Sequence, residues 1–189
     1  MIGSSKYCTY IFILVAIAFS SCNNDNDKPQ SNTQKLTQKE VNNGLIQSHK
    51  EYLLQQEDEI KQYVKRHNYD MQRTQTGIYY KITEPGKGEQ AKLGEVATVV
   101  YTITLLDGTI CYDTKEDGPK QFKIGEDEVE SGVHEAVQLM RVGDKAMFII
   151  PSNLANGLVG DKDKIPPGAV VIYNITLIAV KAAKPSLSK

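Results

Sequence analysis

The amino-acid sequence predicts an α+β fold in which a curved antiparallel sheet wraps one short helix and follows a separate N-terminal amphipathic helix. After residue 77, apolar and polar residues alternate with a period of two, which is typical of half-buried strands. Only the segment from Val129 to Met140 shows helical spacing there. Strands and helices do not alternate regularly, so a parallel sheet of βαβ units is disfavoured.

Length and charge restrict the classes of protein that fit. The 189 residues allow one ordinary domain with attachments, and the 40% hydrophobic content suffices for one core. The 22 Lys and Arg residues nearly balance the 23 Asp and Glu residues, for a formal net charge of −1. Because nucleic-acid binding needs a basic surface, we expect no nucleic-acid partner.

Residues 1–21 have the organisation of an export signal. Lys6 precedes a short apolar run, Tyr10 to Phe19, which suits a signal peptide and is too short for a stable transmembrane helix. Small residues then lead into Cys22, a pattern that resembles a bacterial lipobox. We predict a lipoprotein signal peptide, lipid attachment at Cys22 and anchoring in the cell envelope, with the outer membrane as the expected location. The alternative is an ordinary secretory signal with an incidental cysteine.

The three cysteines do not form a disulfide framework under this interpretation. Cys8 would leave with the signal peptide and Cys22 would carry lipid. Cys111 would then have no partner in the chain, and no His or cationic cluster near it in the sequence would activate its thiol. We expect Cys111 to have a packing role.

Two segments precede the predicted sheet. Residues 22–35 contain no aliphatic or aromatic side chain and are expected to form a flexible tether. Residues 36–76 form a helical segment, in which Thr37 and Glu40 make a capping box. Gly44 weakens the first turns, so the secure part of the helix is about 45–67. Its apolar stripe either packs on the following domain or forms a homodimer with a second copy.

The folded domain is predicted over residues 77–182, followed by a disordered tail over 183–189. Asp127 is the expected N-cap of its helix, and Glu130 completes a second capping box. The alternative interpretation of this acidic cluster is a catalytic carboxylate pair, but capping explains it more simply. Strands are predicted over 78–82, 96–106, 109–113, 121–124, 145–151 and 170–180.

Five motifs of residues 77–180 carry a family resemblance: Pro85-Gly86-Lys87-Gly88, Leu106-Asp107-Gly108-Thr109, Tyr112-Asp113, Leu139-Met140-Arg141-Val142-Gly143-Asp144-Lys145-Ala146 and Ile165-Pro166-Pro167-Gly168-Ala169. With these motifs, the whole segment resembles the FKBP-type peptidyl-prolyl isomerase family. The lipobox, one extra hairpin residue and the Gly160–Ile165 loop are most similar to gliding-motility-associated isomerase lipoproteins of Bacteroidetes.

The resemblance implies an FKBP-like fold and a non-covalent catalyst that acts on proline-containing polypeptides without cofactor or metal. The barrier to rotation is about 18–20 kcal/mol, whereas the cis and trans forms of an X-Pro bond differ by only ~0.5–1 kcal/mol. An apolar pocket therefore needs only to favour the twisted amide. The implied catalytic residues are Asp113 and Tyr101, and the Glu130 N–H is implied to bind a substrate carbonyl. The other implied pocket residues are Tyr112, Phe122, Val129, Val133, Asn156, Ile165 and Tyr173.

Three positions depart from the family pattern. Val133 stands where a Trp usually forms the pocket floor, Asn156 where a Tyr hydroxyl usually binds the ligand, and Lys120 where an aromatic is usual. These departures favour a second hypothesis, a catalytically weak or inactive FKBP-like binding or chaperone lipoprotein. The three histidines share no metal-ligand spacing, so no metal site is expected.

Overall fold

The computed structural model describes residues 37–126 and 129–183; the side chains of residues 116 and 117 are not described. The predicted signal peptide, the lipid-attachment residue Cys22, the tether and residues 184–189 lie outside the described residues. The same holds for Asp127, the expected N-cap of the interior helix. In the described part of the chain, no helix combines the length and apolar character needed to cross a membrane.

Helix α1 runs over Gln38–Arg66 and begins with the predicted capping box. The Thr37 N–H donates to Glu40 Oε2 at 2.7 Å, and the Glu40 N–H donates to Thr37 Oγ1 at 3.3 Å. These bonds satisfy N–H groups that a helix leaves unpaired in its first turn. The weak turns around Gly44 are therefore helical, and the helix begins earlier than the predicted secure part.

The two halves of α1 have different surroundings. Ile60 is only 1% exposed and packs with Tyr79 and Ile149 of the sheet. Leu45 and Ile46, in contrast, are 65% and 69% exposed. The C-terminal half of the stripe thus packs on its own domain, while the N-terminal half presents apolar side chains to solvent.

All the strand pairs are antiparallel, as the α+β prediction requires. The strands lie in the order β1-β2-β6-β7-β3-β4, and β5 also pairs with β3. Their bounds are β1 Gln72–Arg73, β2 Tyr79–Glu84, β3 Glu95–Leu105, β4 Ile110–Asp113, β5 Lys120–Lys123, β6 Lys145–Ile150 and β7 Val171–Ala182. The two-residue strand β1 was not predicted, because two residues are too few to show a period.

One row of large side chains crosses this sheet. Tyr80 lies opposite Phe148, Phe148 opposite Tyr173, Tyr173 opposite Ile103, and Ile103 opposite Tyr112. Residues directly opposite each other on neighbouring strands share a face of the sheet. All five belong to or pack against the main hydrophobic core, so this row marks the face that packs on the interior helix.

That interior helix, α3, runs over Ser131–Gln138 and buries Val133, Ala136 and Val137. It begins later than the prediction from Asp127. Glu130 is its N-cap residue, with an extended ψ of 137° and no side-chain capping bond. The physical reason for this correction is that the Glu130 carboxylate turns toward a neighbouring loop, where it accepts a side-chain hydrogen bond.

A four-residue helix, α2 (Thr114–Asp117), joins β4 to β5 along the edge of β3. Neither strand pairs with β3 at Tyr101. There the Thr114 hydroxyl accepts a hydrogen bond from the Tyr101 N–H at 2.8 Å and donates one to the Tyr101 carbonyl at 3.1 Å. Thr114 is 3% exposed, so these buried backbone groups are satisfied by one side chain.

Candidate active site

A cavity of about 230 Å³ lies between the sheet and the beginning of α3. Strand β3 contributes Tyr101, β5 contributes Phe122 and β7 contributes Tyr173. The cavity therefore gathers residues from distant parts of the sequence. Six of the residues that the resemblance implied line it, namely Tyr101, Phe122, Val129, Glu130, Val133 and Tyr173, together with Lys120 and Gln121.

Aromatic rings form much of the cavity wall and are held by their neighbours. The rings of Tyr101 and Tyr173 lie 5.7 Å apart at an interplanar angle of 59°. Phe122 meets the His134 ring edge-on at 5.5 Å, and His134 Nδ1 accepts a hydrogen bond from the Gly125 N–H at 2.9 Å. Aromatic pairs in such tilted arrangements stabilise each other beyond their buried area. These contacts hold the rings of the wall against their neighbours.

The Glu130 carboxylate forms a polar part of this wall. Asn156 Nδ2 donates to Glu130 Oε1 at 3.2 Å. Burial raises the pKa of Tyr173 far above its usual value, and the negative charge of the nearby Glu130 carboxylate raises that pKa further. Sequence reasoning considered only the backbone N–H of Glu130 and missed this role of its side chain.

Asn156 reaches the cavity only through Glu130 and does not itself line it. Its Oδ1 atom is buried and has no hydrogen-bond partner among residues 37–126 and 129–183. A buried acceptor without a partner carries a desolvation cost. The residue that stands in place of the family's ligand-binding Tyr thus supports the Glu130 carboxylate from outside the cavity.

Tyr112 and Ile165 close the region without lining the cavity itself. The Tyr112 hydroxyl donates to Asp161 and also lies 3.3 Å from Asp163, while Lys164 Nζ lies 4.9 Å from the centre of the Tyr112 ring. Ile165 is 3% exposed and belongs to the same hydrophobic core as the cavity walls. These contacts hold the flap loop, residues 152–168, over this end of the sheet.

Asp113 is not brought to the cavity, contrary to the expectation that it forms a polar group of the wall. It lies opposite Thr102, one position after Tyr112, and successive residues of a strand face opposite sides of a sheet. Its Oδ1 accepts a hydrogen bond from the Lys115 N–H at 2.8 Å and caps α2. It borders a different hollow, of about 380 Å³, which Tyr101 and Asn174 also line.

The geometry permits binding of a small apolar ring beside a carbonyl group. Tyr101, Phe122 and Val133 supply apolar and aromatic surface beside polar groups, a combination that is common in ligand cavities. Glu130 lies at the start of α3, where backbone N–H groups have no acceptor within the helix. An apolar group held in the cavity can therefore place an adjacent carbonyl oxygen near these donors.

Comparisons with known proteins agree with this arrangement. A family model described as FKBP-type peptidyl-prolyl cis-trans isomerase matches residues 87–178. The probable FKBP-type peptidyl-prolyl cis-trans isomerase FkpA of Neisseria meningitidis serogroup B is 38% identical over 117 residues, which are 61% of this chain and 42% of that protein. The chain thus spans less than half the length of this relative.

Two solved structures show the same likeness in three dimensions. The crystal structure of FkpA from Escherichia coli has a TM-score of 0.62 at 26% identity, covering 79% of this chain and 76% of that chain. A peptidyl-prolyl cis-trans isomerase from Pseudomonas syringae pv. tomato has a TM-score of 0.54 at 32% identity, covering 59% of this chain and 80% of that chain. The chain belongs to the family of FKBP-type peptidyl-prolyl cis-trans isomerases.

Proposed function

We propose that this protein catalyses cis-trans isomerisation of X-Pro bonds in exported polypeptides and so assists the folding or assembly of envelope proteins. One observation carries the proposal: residues from three strands and the start of α3 converge on one cavity, where the side chains of Tyr101, Phe122 and Val133 lie together. The reaction needs such a cavity and no nucleophile, because no covalent bond is made or broken.

The cavity residues have distinct roles in this mechanism. Tyr101, Phe122 and Val133 hold the proline ring, and Tyr173 closes the cavity from the sheet. The Glu130 N–H binds a substrate carbonyl. Removal of water from the prolyl amide favours the twisted, less conjugated state over the planar ground states. The whole rate enhancement then comes from differential binding.

Substitutions of Tyr173 test the mechanism in a protease-coupled assay with X-Pro peptides. Tyr173→Ala removes a ring that is 97% buried and should lower kcat/KM strongly, whereas Tyr173→Phe keeps the ring and should retain most activity. Asp113→Ala decides whether Asp113 takes part, and from its position outside the cavity we expect a smaller loss than for Tyr173→Ala. Equal activity of wild type and Tyr173→Ala would refute this use of the cavity.

We further propose that the mature protein is anchored by lipid on Cys22 in the outer membrane. The support is the short apolar run followed by small residues and the cysteine. In cells fed labelled palmitate, the wild-type protein should carry the label. The Cys22→Ser variant should carry no label, and it should be either soluble or left with its signal peptide uncleaved. Label that persists in the mutant would exclude the lipobox.

The exposed half of α1 supports a homodimer. Leu45, Ile46 and Leu54 are 65%, 69% and 54% exposed, and a second copy of the helix would cover them. Light scattering of residues 23–189 should give twice the chain mass. Leu45→Asp should give the mass of one chain without lowering isomerase activity. A monomeric wild type would contradict this assembly.

A binding module without catalysis is the second candidate, favoured by the Glu130 carboxylate in the cavity wall. A charged group resists the desolvation that an apolar proline site depends on. Under this alternative, the wild type would suppress aggregation of an unfolded chain while its isomerisation rate stayed at background. A rate clearly above background would decide for the enzyme.

A further inference from the structure

We propose that Gln56, on helix α1, is a positioning residue for the active site: it fastens both ends of the flap loop and thereby holds that loop against the cavity. This inference rests on the proposed isomerase function for its kinetic consequence. Its structural part, the fastening of the loop, can be tested independently of activity.

Gln56 bridges the two ends of the loop with its side-chain amide. Its Nε2 donates to the Gly168 carbonyl at 2.6 Å. Its Oε1 accepts hydrogen bonds from the Ser152 N–H at 3.1 Å and from the Ser152 hydroxyl at 3.0 Å. Gln56 is 3% exposed and Ser152 is 1% exposed. A buried amide that satisfies both its donor and its acceptor sides in this way strongly specifies one arrangement.

Tyr52, one helical turn earlier, reinforces the end of the loop at Gly168. Its hydroxyl donates to the Gly168 carbonyl at 2.7 Å and lies 2.9 Å from Gln56 Nε2. Gly168 has a φ of +70°, and a Cβ there would collide with the Tyr52 hydroxyl. The helix and the loop are thus in such close contact that only glycine fits.

The fastened loop carries three contacts to the active-site region. Near its beginning Asn156 donates to the Glu130 carboxylate, in its middle Asp161 accepts from Tyr112, and Ile165 is buried in the core. Loss of the Gln56 amide would leave the Ser152 N–H without this partner and the Gly168 carbonyl with the Tyr52 hydroxyl alone. Such groups seek other partners, which moves the ends of the loop. The contacts at the cavity then loosen as well.

The test compares Gln56→Leu with Gln55→Leu in residues 23–189. Gln55 is the exposed neighbour on the same helix, and its Nε2 bonds only to Glu59 across one turn, at 3.2 Å. Peptide kinetics are measured well below the melting temperature, and amide hydrogen exchange is followed in parallel. A misplacement of active-site groups by roughly 1 Å can lower the rate about a hundredfold. Because the loop acts on the cavity only indirectly, we expect Gln56→Leu to lower kcat/KM about tenfold. Gln55→Leu should match wild type.

Tyr52→Phe is the milder variant, which keeps the proposal testable if Gln56→Leu does not fold. It removes one of the two donors to the Gly168 carbonyl and should speed amide exchange of the flap loop, but not of β7. A Gln56→Leu protein that melts at a lower temperature but keeps wild-type kcat/KM and wild-type exchange in the loop would overturn the proposal.

An inactive wild type would instead refute the proposed function. The exchange data then decide the inference alone. Faster exchange confined to the flap loop in Gln56→Leu supports fastening of the loop, and uniformly faster exchange over the whole domain overturns it.

Discussion

Asn156 Nδ2 lies 3.2 Å from Glu130 Oε1, so a residue of the flap loop and the N-cap residue of α3 are joined at the cavity wall. A hydrogen bond to a carboxylate is stronger than one between neutral groups. The charge of the same carboxylate also raises the pKa of Tyr173 on strand β7. The Glu130 carboxylate thus bonds to the flap loop and acts electrostatically on a residue of the sheet.

The first prediction concerns the Tyr173 hydroxyl. Glu130→Gln should lower the pKa of Tyr173, because the negative carboxylate no longer opposes formation of the phenolate. The pKa should stay above the usual value for tyrosine, since burial is the larger cause of the shift. NMR titration of ring-labelled tyrosines measures it. Glu135→Gln is the control, because the Glu135 carboxylate accepts a hydrogen bond from Thr76 instead. An unchanged pKa of Tyr173 in Glu130→Gln would contradict the proximity of the two side chains.

The second prediction concerns the cavity floor. Val133 adjoins the cavity, so Val133→Trp should place its ring there and raise kcat/KM or affinity for X-Pro peptides with little loss of stability. Val137, one turn later, is fully buried and does not line the cavity. Val137→Trp should therefore overpack the core and cost ~1–3 kcal/mol of stability. Melting temperature and kcat/KM are measured for both variants. Equal destabilisation by Val133→Trp and Val137→Trp would show that the cavity has no room for a ring at Val133.

The third prediction concerns acid pH and the flap loop. Partial burial raises the pKa of Asp161, but hydrogen bonds from the Tyr112 hydroxyl and from loop N–H groups outweigh it, so the pKa is lowered. The stabilisation is therefore present above the unfolded pKa, near 3.8, and is lost as pH falls through the lower folded value.

Protection of the loop amides from exchange should fall below about pH 4, because the open loop then binds a proton at Asp161 more readily than the closed loop does. Tyr112→Phe removes one donor to the carboxylate, so it should make this acid-induced loss of protection smaller. Asp107 provides the control. The pKa of its carboxyl is also lowered, but it lies at the hairpin, so Asp107→Asn should leave amide exchange of the flap loop unchanged. A loop insensitive to Tyr112→Phe would exclude this role for the pair.

The fourth prediction compares the two halves of α1. Ile60→Ala should lower the free energy of unfolding by about 2–5 kcal/mol, because it leaves a cavity against Tyr79 and Ile149. Leu45→Ala should change it by less than about 0.5 kcal/mol in the monomer, since Leu45 is 65% exposed. Urea unfolding at low protein concentration measures both. Similar losses of unfolding free energy in the two variants would show that the N-terminal half of α1 is also buried in solution.

Most of the fold could be predicted because its signals are local. The alternation along β3 and the capping box at Thr37 each lie within a few residues of sequence. The start of α3 was predicted wrongly for the same reason. Several acidic residues in succession each fit the capping pattern, and only the distant Asn156 shows that Glu130 is turned away from the helix.

The site was predictable only in part. Six of the residues that the family resemblance implied line the cavity, whereas Asp113, one position after Tyr112, borders another hollow. The contacts of Gln56 with Ser152 and Gly168 join residues 96 and 112 positions apart. A polar residue on an apolar helical stripe was the only signal in the sequence, and it does not say which groups the amide meets.

The double hydrogen bond of Thr114 to Tyr101 satisfies the sheet edge with the first residue of α2, so the rest of that connection is not needed for it. Strands β4 and β5 each keep their own register on β3, so the length of the α2 connection is not set by either strand. Insertions are tolerated best where no ladder hydrogen bonds are broken. Between Lys115 and Lys120 the chain thus offers a place where evolution, or a designed fusion, can lengthen the protein beside its cavity without unravelling the sheet.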